Sequence, residues 1–187
     1  GQVECVVPIT GVRLTSGTGK VLIVLAKKRR CDDEFELSGQ LPAVKQETGE
    51  LPGQALERMF GKLLRPFARE VRIGHAGRED RREISDRYRI NTTYLRVIYS
   101  ATLPEFSTTT GLPLPLRHDD KTSNMFSVWH TQSHRWSLPT HEECFLLRDT
   151  NSVFVCGWVD PEAVNFFRRV SKQLRDWITR IDKALLE

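Results

Sequence analysis

The N-terminal pattern of β-branched and polar residues predicts two strands. The segments "VECVVPITGVRL" and "KVLIVLAKK" are rich in valine and isoleucine, which favour an extended backbone. The residues between them, "TSGTG", supply the glycines that a tight turn needs. We therefore expect a β-hairpin with a buried second strand, because the apolar run of that strand is continuous. The next segments, "CDDEFELSG" and "QLPAVKQ", predict a polar loop and a short extended segment.

After Pro52 the apolar residues recur at steps of three and four, which is typical of an amphipathic helix. Pro52 suits the first turn of such a helix, and Pro66 would end it. The sequence therefore predicts a helix between these two prolines. Its apolar face consists of Ala55, Leu56, Met59, Phe60, Leu63 and Leu64.

The rest of the chain predicts loops, three strands and a closing helix. The arginine-rich stretch from Arg65 to Arg89 also contains five carboxylates, and this mixture of signs favours a solvated loop. The segments "YLRVIYSATL", "ECFLLR" and "SVFVCGWV" predict strands, and "STTTGLPLPLRHDDKTSN" predicts a long surface loop. Asp160 and Pro161 form a helix start. One apolar stripe follows, made of Val164, Phe167, Val170, Leu174, Trp177, Ile181 and Leu185.

This order of elements predicts a mixed α/β or α+β domain with helices packed on a mixed sheet. The chain has 187 residues, the size of one domain, so we expect a single domain over residues 1–187. Its apolar content of 39% and charged content of 28% are near the averages for folded soluble proteins. Since no apolar run approaches the roughly 18 residues that cross a bilayer, we expect no membrane-spanning segment.

The net charge of +4 suits an anionic partner such as nucleic acid, although a basic surface without a ligand explains it equally well. The four cysteines show no CxxC spacing and are too few for a disulfide scaffold. They favour an intracellular location, without distinguishing nucleus, cytoplasm and mitochondrion. The chain starts at Gly1 rather than Met, so we expect a processed precursor or a piece of a longer protein.

One local sequence, together with the order of elements, resembles the Nudix superfamily. The segment "LPAVKQETGELPGQALERMF" has Leu41 and Pro42 at a strand end, Gly49 and Glu50 in a loop, and Arg58 at the position of the motif arginine. The segment "GWVDPEAV" is similar to the one that often precedes the last Nudix helix. The resemblance implies a Nudix-like fold, in which a mixed β-sheet is sandwiched between helices.

The catalytic carboxylates of that family are missing from this chain. Counting from Arg58, the first helix glutamate of the family falls on Met59, and its metal-binding Glu-Glu pair falls on Lys62 and Leu63. Nudix enzymes use Mg²⁺ or Mn²⁺ to cleave phosphoanhydrides, and these cations need oxygen ligands. The ammonium group of Lys62 would repel a cation there. We therefore expect no catalytic residue, no bound metal and no cofactor.

Two interpretations of the remaining charged residues stay open. Glu47, Glu57, Glu142 and Glu143 could rebuild a metal site with Glu50, and Mg²⁺ or Mn²⁺ would then bind a residual hydrolase. Alternatively, Glu50 and Arg58 form an ion pair that holds the loop against the helix, retained because it stabilises the fold.

A second region, "VWHTQSHRWSLPTHEEC", gathers three histidines and a cysteine, but their spacing fits no familiar zinc site. Its Trp129, Arg135 and Trp136 could stack on the bases of RNA, although buried tryptophans are more common. In the last helix Arg168, Lys172 and Arg175 form a stripe that could follow phosphates, and a solvated helix face explains them equally well.

The leading hypothesis is a Nudix-fold pseudoenzyme that binds RNA, protein subunits of a complex, or both. The resemblance implies this role, because non-catalytic members of the superfamily serve as RNA-binding or ribosomal components. One alternative is a residual hydrolase of nucleoside diphosphate derivatives that uses displaced carboxylates. Another is a sensor that binds an ADP-ribose-like nucleotide without cleaving it.

Overall fold

The computed structural model describes residues 4–84, 89–105, 143–167, 174–176 and 178–179, and the backbone of 112–113. Nine strands lie in this part of the chain: β1 (Glu4–Thr15), β2 (Val21–Arg29), β3 (Glu36–Gln40), β4 (Ala43–Lys45), β5 (Arg72–Ile84), β6 (Asn91–Thr102), β7 (Leu112–Pro113), β8 (Cys144–Arg148) and β9 (Ser152–Val159). The helices are α1 (Pro52–Gly61) and α2 (Val164–Phe167), with 3₁₀ turns at Arg65–Phe67 and Pro161–Ala163. The described fold is mixed α+β and consists mostly of strands. None of its helices is long and apolar enough to cross a membrane.

The chain divides into two compact units. The first comprises residues 1–18 and 41–107, and its mixed sheet has the order β5-β6-β1. In this sheet β1 runs parallel to β6, from Glu4 opposite Asn91 to Thr15 opposite Thr102, while β5 and β6 are antiparallel. The short strand β4 pairs antiparallel with β1.

Helix α1 packs on β1 and β4 and closes the core of the first unit. Its buried residues recur at steps of three and four, as the sequence predicts, because only such spacing gives a helix one apolar face. The buried residues of this core include Val12, Leu14, Ala55, Leu56, Met59, Phe60, Leu64 and Phe67.

The second unit comprises residues 19–40 and 108–187, and its strands pair antiparallel. Strand β2 pairs with β9 and β3, β8 pairs with β9, and β7 pairs with β8. Residues 21–26 of β2 are all buried, which confirms the prediction from its continuous apolar run. Helix α2 contacts β2 and β3. Val164, Phe167 and Leu174 of the predicted stripe are buried, and so is Ile178.

Two loop predictions are wrong. Residues 36–39 of "CDDEFELSG" belong to strand β3, which pairs with β2. The arginine-rich stretch contains the thirteen-residue strand β5 instead of a solvated loop. Its backbone pairs with β6 while every one of its residues is exposed, so the burial pattern that normally reveals a strand is absent.

The other strand predictions are confirmed, because a strand is present at each predicted position. Strand β6 begins at Asn91, which is earlier than predicted. Most of the predicted loop from Ser107 to Asn124 lies outside the described residues. The single-domain prediction and the Nudix-like arrangement of sheet and helices remain predictions.

Candidate functional site

The candidate site is the loop between β4 and α1, which carries Glu50. Gln46 fixes the start of this loop, because its backbone N–H donates to the Pro8 carbonyl over 3.0 Å. The Gln46 side-chain amide also donates to Thr10 Oγ1 over 2.9 Å. Gly49 has a φ of 78°, a left-handed conformation that glycine adopts without the strain a Cβ would cause. The turn therefore depends on the glycine that the motif supplies.

Glu50 is held near the start of α1 by Arg58, its predicted ion-pair partner. The Arg58 Nε donates to Glu50 Oε1 over 2.7 Å, and Nη2 donates to Oε2 over 2.8 Å, so the pairing is bidentate. The same Nη2 donates to the Lys45 carbonyl over 2.9 Å. The Glu47 backbone N–H donates to Glu50 Oε2 over 2.8 Å. The predicted ion pair is confirmed, and it links the loop, the helix and β4.

These contacts stabilise the ionised form of Glu50. The hydrogen bond from Arg58 is the largest cause, followed by that from the Glu47 N–H, and together they lower the pKa of Glu50 to about 2. The carboxylate in turn raises the pKa of Arg58. Glu50 is therefore ionised at neutral pH and its charge is neutralised by the guanidinium, so a metal ion would have to compete with Arg58 for both of its oxygens.

The positions that the Nudix resemblance assigns to helix glutamates carry buried or cationic side chains. Met59 is 1% exposed and Leu63 is 6% exposed, so both pack into the core. Lys62 is exposed and follows the last residue of α1. Carboxylates at Met59 or Leu63 would have to be buried, which is costly for a charged group.

The helix is shorter than the sequence predicts. It ends at Gly61, and its end is closed by hydrogen bonds from the Lys62 N–H to the Arg58 carbonyl and from the Leu64 N–H to the Met59 carbonyl. The 3₁₀ turn that contains Pro66 follows. Lys62, Leu63 and Leu64 consequently lie beyond the helix. The prediction that Leu63 and Leu64 belong to its apolar face is therefore wrong, although both side chains are buried.

The carboxylates considered for a rebuilt metal site do not form one in the described part of the chain. Glu47 lies near Arg58, with 3.6 Å between Glu47 Oε1 and Arg58 Nε, and Glu57 is exposed on α1. Glu143 is ion-paired with Lys20 in the second unit. Within the described residues, no three His, Cys, Asp or Glu side chains come together as metal ligands would. Glu142 lies outside these residues.

Most of the residues predicted to bind RNA or a partner lie outside the described residues: Trp129, Arg135, Trp136, Arg168 and Lys172. Arg175 is described, and it is exposed on a helical segment. The three histidines of that region, His130, His134 and His141, also lie outside the described residues. Cys144 at the end of that region is buried in β8, and burial raises the pKa of its thiol.

The exposed edge strand β5 was not predicted from the sequence. Its charged residues form two ion pairs along the strand: Arg78 with Asp80, joined by two hydrogen bonds of 2.9 Å, and Arg81 with Glu83 at 3.1 Å. The spacing of two residues between the partners of each ion pair could have indicated a strand. Partners two residues apart share a face of a strand, whereas a helix brings together residues three or four apart.

Neither a protein-family model nor a curated protein matches the chain.

Proposed function

We propose that this chain is a non-catalytic Nudix-fold domain that serves as an RNA-binding or protein-interaction subunit of a larger complex. The observation that carries the proposal is the hydrogen bonding of the Glu50 carboxylate. Both of its oxygens accept hydrogen bonds from Arg58, and the neighbouring motif positions hold buried Met59 and Leu63 and the cation Lys62. Such a loop contributes to stability and offers little to a divalent cation.

The Nudix-like arrangement, a mixed sheet between helices, is part of this proposal. It is supported by a motif loop that runs from β4 into α1 and by an arginine on α1 that pairs with the loop glutamate. The four cysteines are free, which agrees with the predicted intracellular location.

The first experiment measures hydrolysis of a panel of nucleoside diphosphate derivatives with Mg²⁺ or Mn²⁺. We expect no activity above that of Glu50→Gln. Metal-dependent hydrolysis that is lost in Glu50→Gln would contradict the proposal and support a residual hydrolase. Binding of ADP-ribose without cleavage would instead support the sensor function.

The second experiment separates RNA from protein as the partner. Fluorescence anisotropy with single-stranded RNA at several salt concentrations would show binding that weakens as salt rises, because phosphate contacts release counterions. If RNA is the partner, Arg168→Ala combined with Lys172→Ala weakens binding. If the domain binds no RNA at low salt, the proposal retains only a protein partner.

A further inference from the structure

Strand β5 is the outermost strand of the sheet in the first unit. It pairs with β6 from Arg72 to Ile84, with a register shift between Ile73 and Ala76, and within the described residues it pairs with no other strand. All thirteen of its residues are exposed, including Ile73 at 45% and Ile84 at 62%. A long edge strand without a cover is the kind of surface to which another polypeptide adds a strand.

The backbone of β5 supplies the hydrogen-bonding groups for such an addition. In an antiparallel pair, alternate residues direct both N–H and C=O toward the partner strand, and the residues between them direct both away from it. About half of the β5 residues therefore present these groups at the outer edge. No backbone hydrogen bond from β5 to a strand other than β6 occurs in the described residues.

The charges on β5 indicate what kind of segment would fit. Arg78 and Arg81 are occupied by the two ion pairs along the strand. Glu79 lies opposite Arg96 of β6, with 4.0 Å between their charged atoms. Arg82 is exposed and has no ion-pair partner among the described residues, although it lines the same open concavity as Glu4. The edge therefore favours a carboxylate opposite Arg82.

A second copy of this chain suits the edge poorly when the pairing is centred on the charged residues 78–83. When two copies of one edge strand pair antiparallel about a two-fold axis, the residue on the axis lies opposite its own copy. Full overlap of β5 with itself places Arg78 on the axis. Any register centred within residues 78–83 likewise places a charged side chain against its own copy, and directly opposed like charges are destabilising.

We propose that the outer edge of β5 binds an extended segment of a partner protein that carries a carboxylate opposite Arg82. This inference rests on the proposed role as an interaction subunit and specifies the surface and the partner chemistry. Backbone hydrogen bonds provide the affinity, and the Arg82–carboxylate pair sets the register.

The probe is a capped twelve-residue peptide of alternating Thr and Val with one central Glu, and the matched control peptide has Lys in place of Glu. Amide hydrogen exchange of the full chain with each peptide identifies the residues that become protected. We expect alternate β5 amides to gain protection, and the Glu peptide to bind about five-fold more tightly than the Lys peptide. The variant Arg82→Glu should reverse that preference.

A pair of proline variants tests the edge itself. Adjacent residues of a strand direct their N–H groups to opposite edges, so one of Ala76→Pro and Gly77→Pro removes an outward N–H and the other removes an N–H bonded to β6. We expect the more stable variant of the two to lose peptide binding at least ten-fold.

Several results would overturn the inference: no protection of β5 at millimolar peptide, equal binding of both peptides, or full binding by the more stable proline variant. Concentration-dependent dimers that disappear in that variant would identify a second copy as the occupant instead. Protection of β5 by single-stranded RNA and not by peptide would also overturn it. None of these results depends on the hydrolysis assay, so failure here is distinguishable from failure of the proposed function.

Discussion

At the residue scale, the account depends on how Glu50 is used. A carboxylate that binds a metal must keep at least one oxygen directed at the ion. Here one Arg58 hydrogen bond reaches each oxygen, and the Glu47 N–H adds a third donor. The side chain of Glu50 is 12% exposed, so this pairing is better shielded from water than an ordinary surface ion pair.

The Glu50 pair makes stability depend on pH in a predictable direction. The pKa of Glu50 falls from its ordinary 4.5 to about 2 on folding, so its contribution is complete above pH 4.5 and is lost as pH falls through 2. We expect the difference in urea midpoint between the wild type and Glu50→Gln to shrink steadily over that range. The control Glu57→Gln replaces an exposed carboxylate of α1 that has no ion pair among the described residues, and it should change the midpoint little. A difference that stays constant down to pH 2 would contradict the assigned role.

Glutamates introduced at the positions that the Nudix resemblance assigns to metal ligands test whether these positions serve packing. Met59→Glu places a carboxylate at a site that is 1% exposed and should destabilise the fold by about 3 kcal/mol or more. Lys62→Glu changes an exposed side chain whose charge acts on Glu50, so it should cost less, within about 1 kcal/mol of the wild type. Urea denaturation measures both. Equal stability of the two variants would show that Met59 is not a core residue.

At the element scale, the elements that bury many apolar side chains could be predicted and the exposed strand β5 could not. Helix α1 buries side chains at steps of three and four, strand β2 buries six consecutive residues, and both patterns are visible in the sequence. Strand β5 buries none of its residues, so only its pairing with β6 defines it. The end of α1 at Gly61 was also missed, because apolar spacing continues through Leu63 and Leu64 after the helix has ended.

The same distinction applies to the candidate site. The pairing of Glu50 with Arg58 could be predicted from motif positions. The hydrogen bonds from Arg58 to the Lys45 carbonyl and from the Glu47 N–H could not, because they depend on the path of the loop backbone.

Two glycines near the candidate site differ in their conformation: Gly49 lies in the loop between β4 and α1, and Gly61 is the last residue of α1. Gly49 has a φ of 78°, so Gly49→Ala should cost about 1–2 kcal/mol through backbone strain even though no atom lies within 4 Å of the added Cβ. Gly61 at the end of α1 has ordinary φ and equally open surroundings, so Gly61→Ala should be neutral or slightly stabilising. Thermal unfolding distinguishes the two, and a larger loss in Gly61→Ala would contradict the assigned turn.

At the scale of the whole molecule, the described residues combine a loop that suits a metal poorly with an exposed strand that suits a partner. The first feature argues against hydrolysis, and the second provides a surface for assembly. The modest net charge of +4 is compatible with RNA but does not require it. Together these features favour a scaffold whose function lies in binding.

The most direct test of the non-catalytic claim is a crystal structure of the protein soaked in Mn²⁺. We predict that Glu50 keeps both hydrogen bonds to Arg58 and that no Mn²⁺ lies within coordination distance of its oxygens. A Mn²⁺ ion bound by Glu50 and two or more further carboxylates, with Arg58 displaced, would contradict the account.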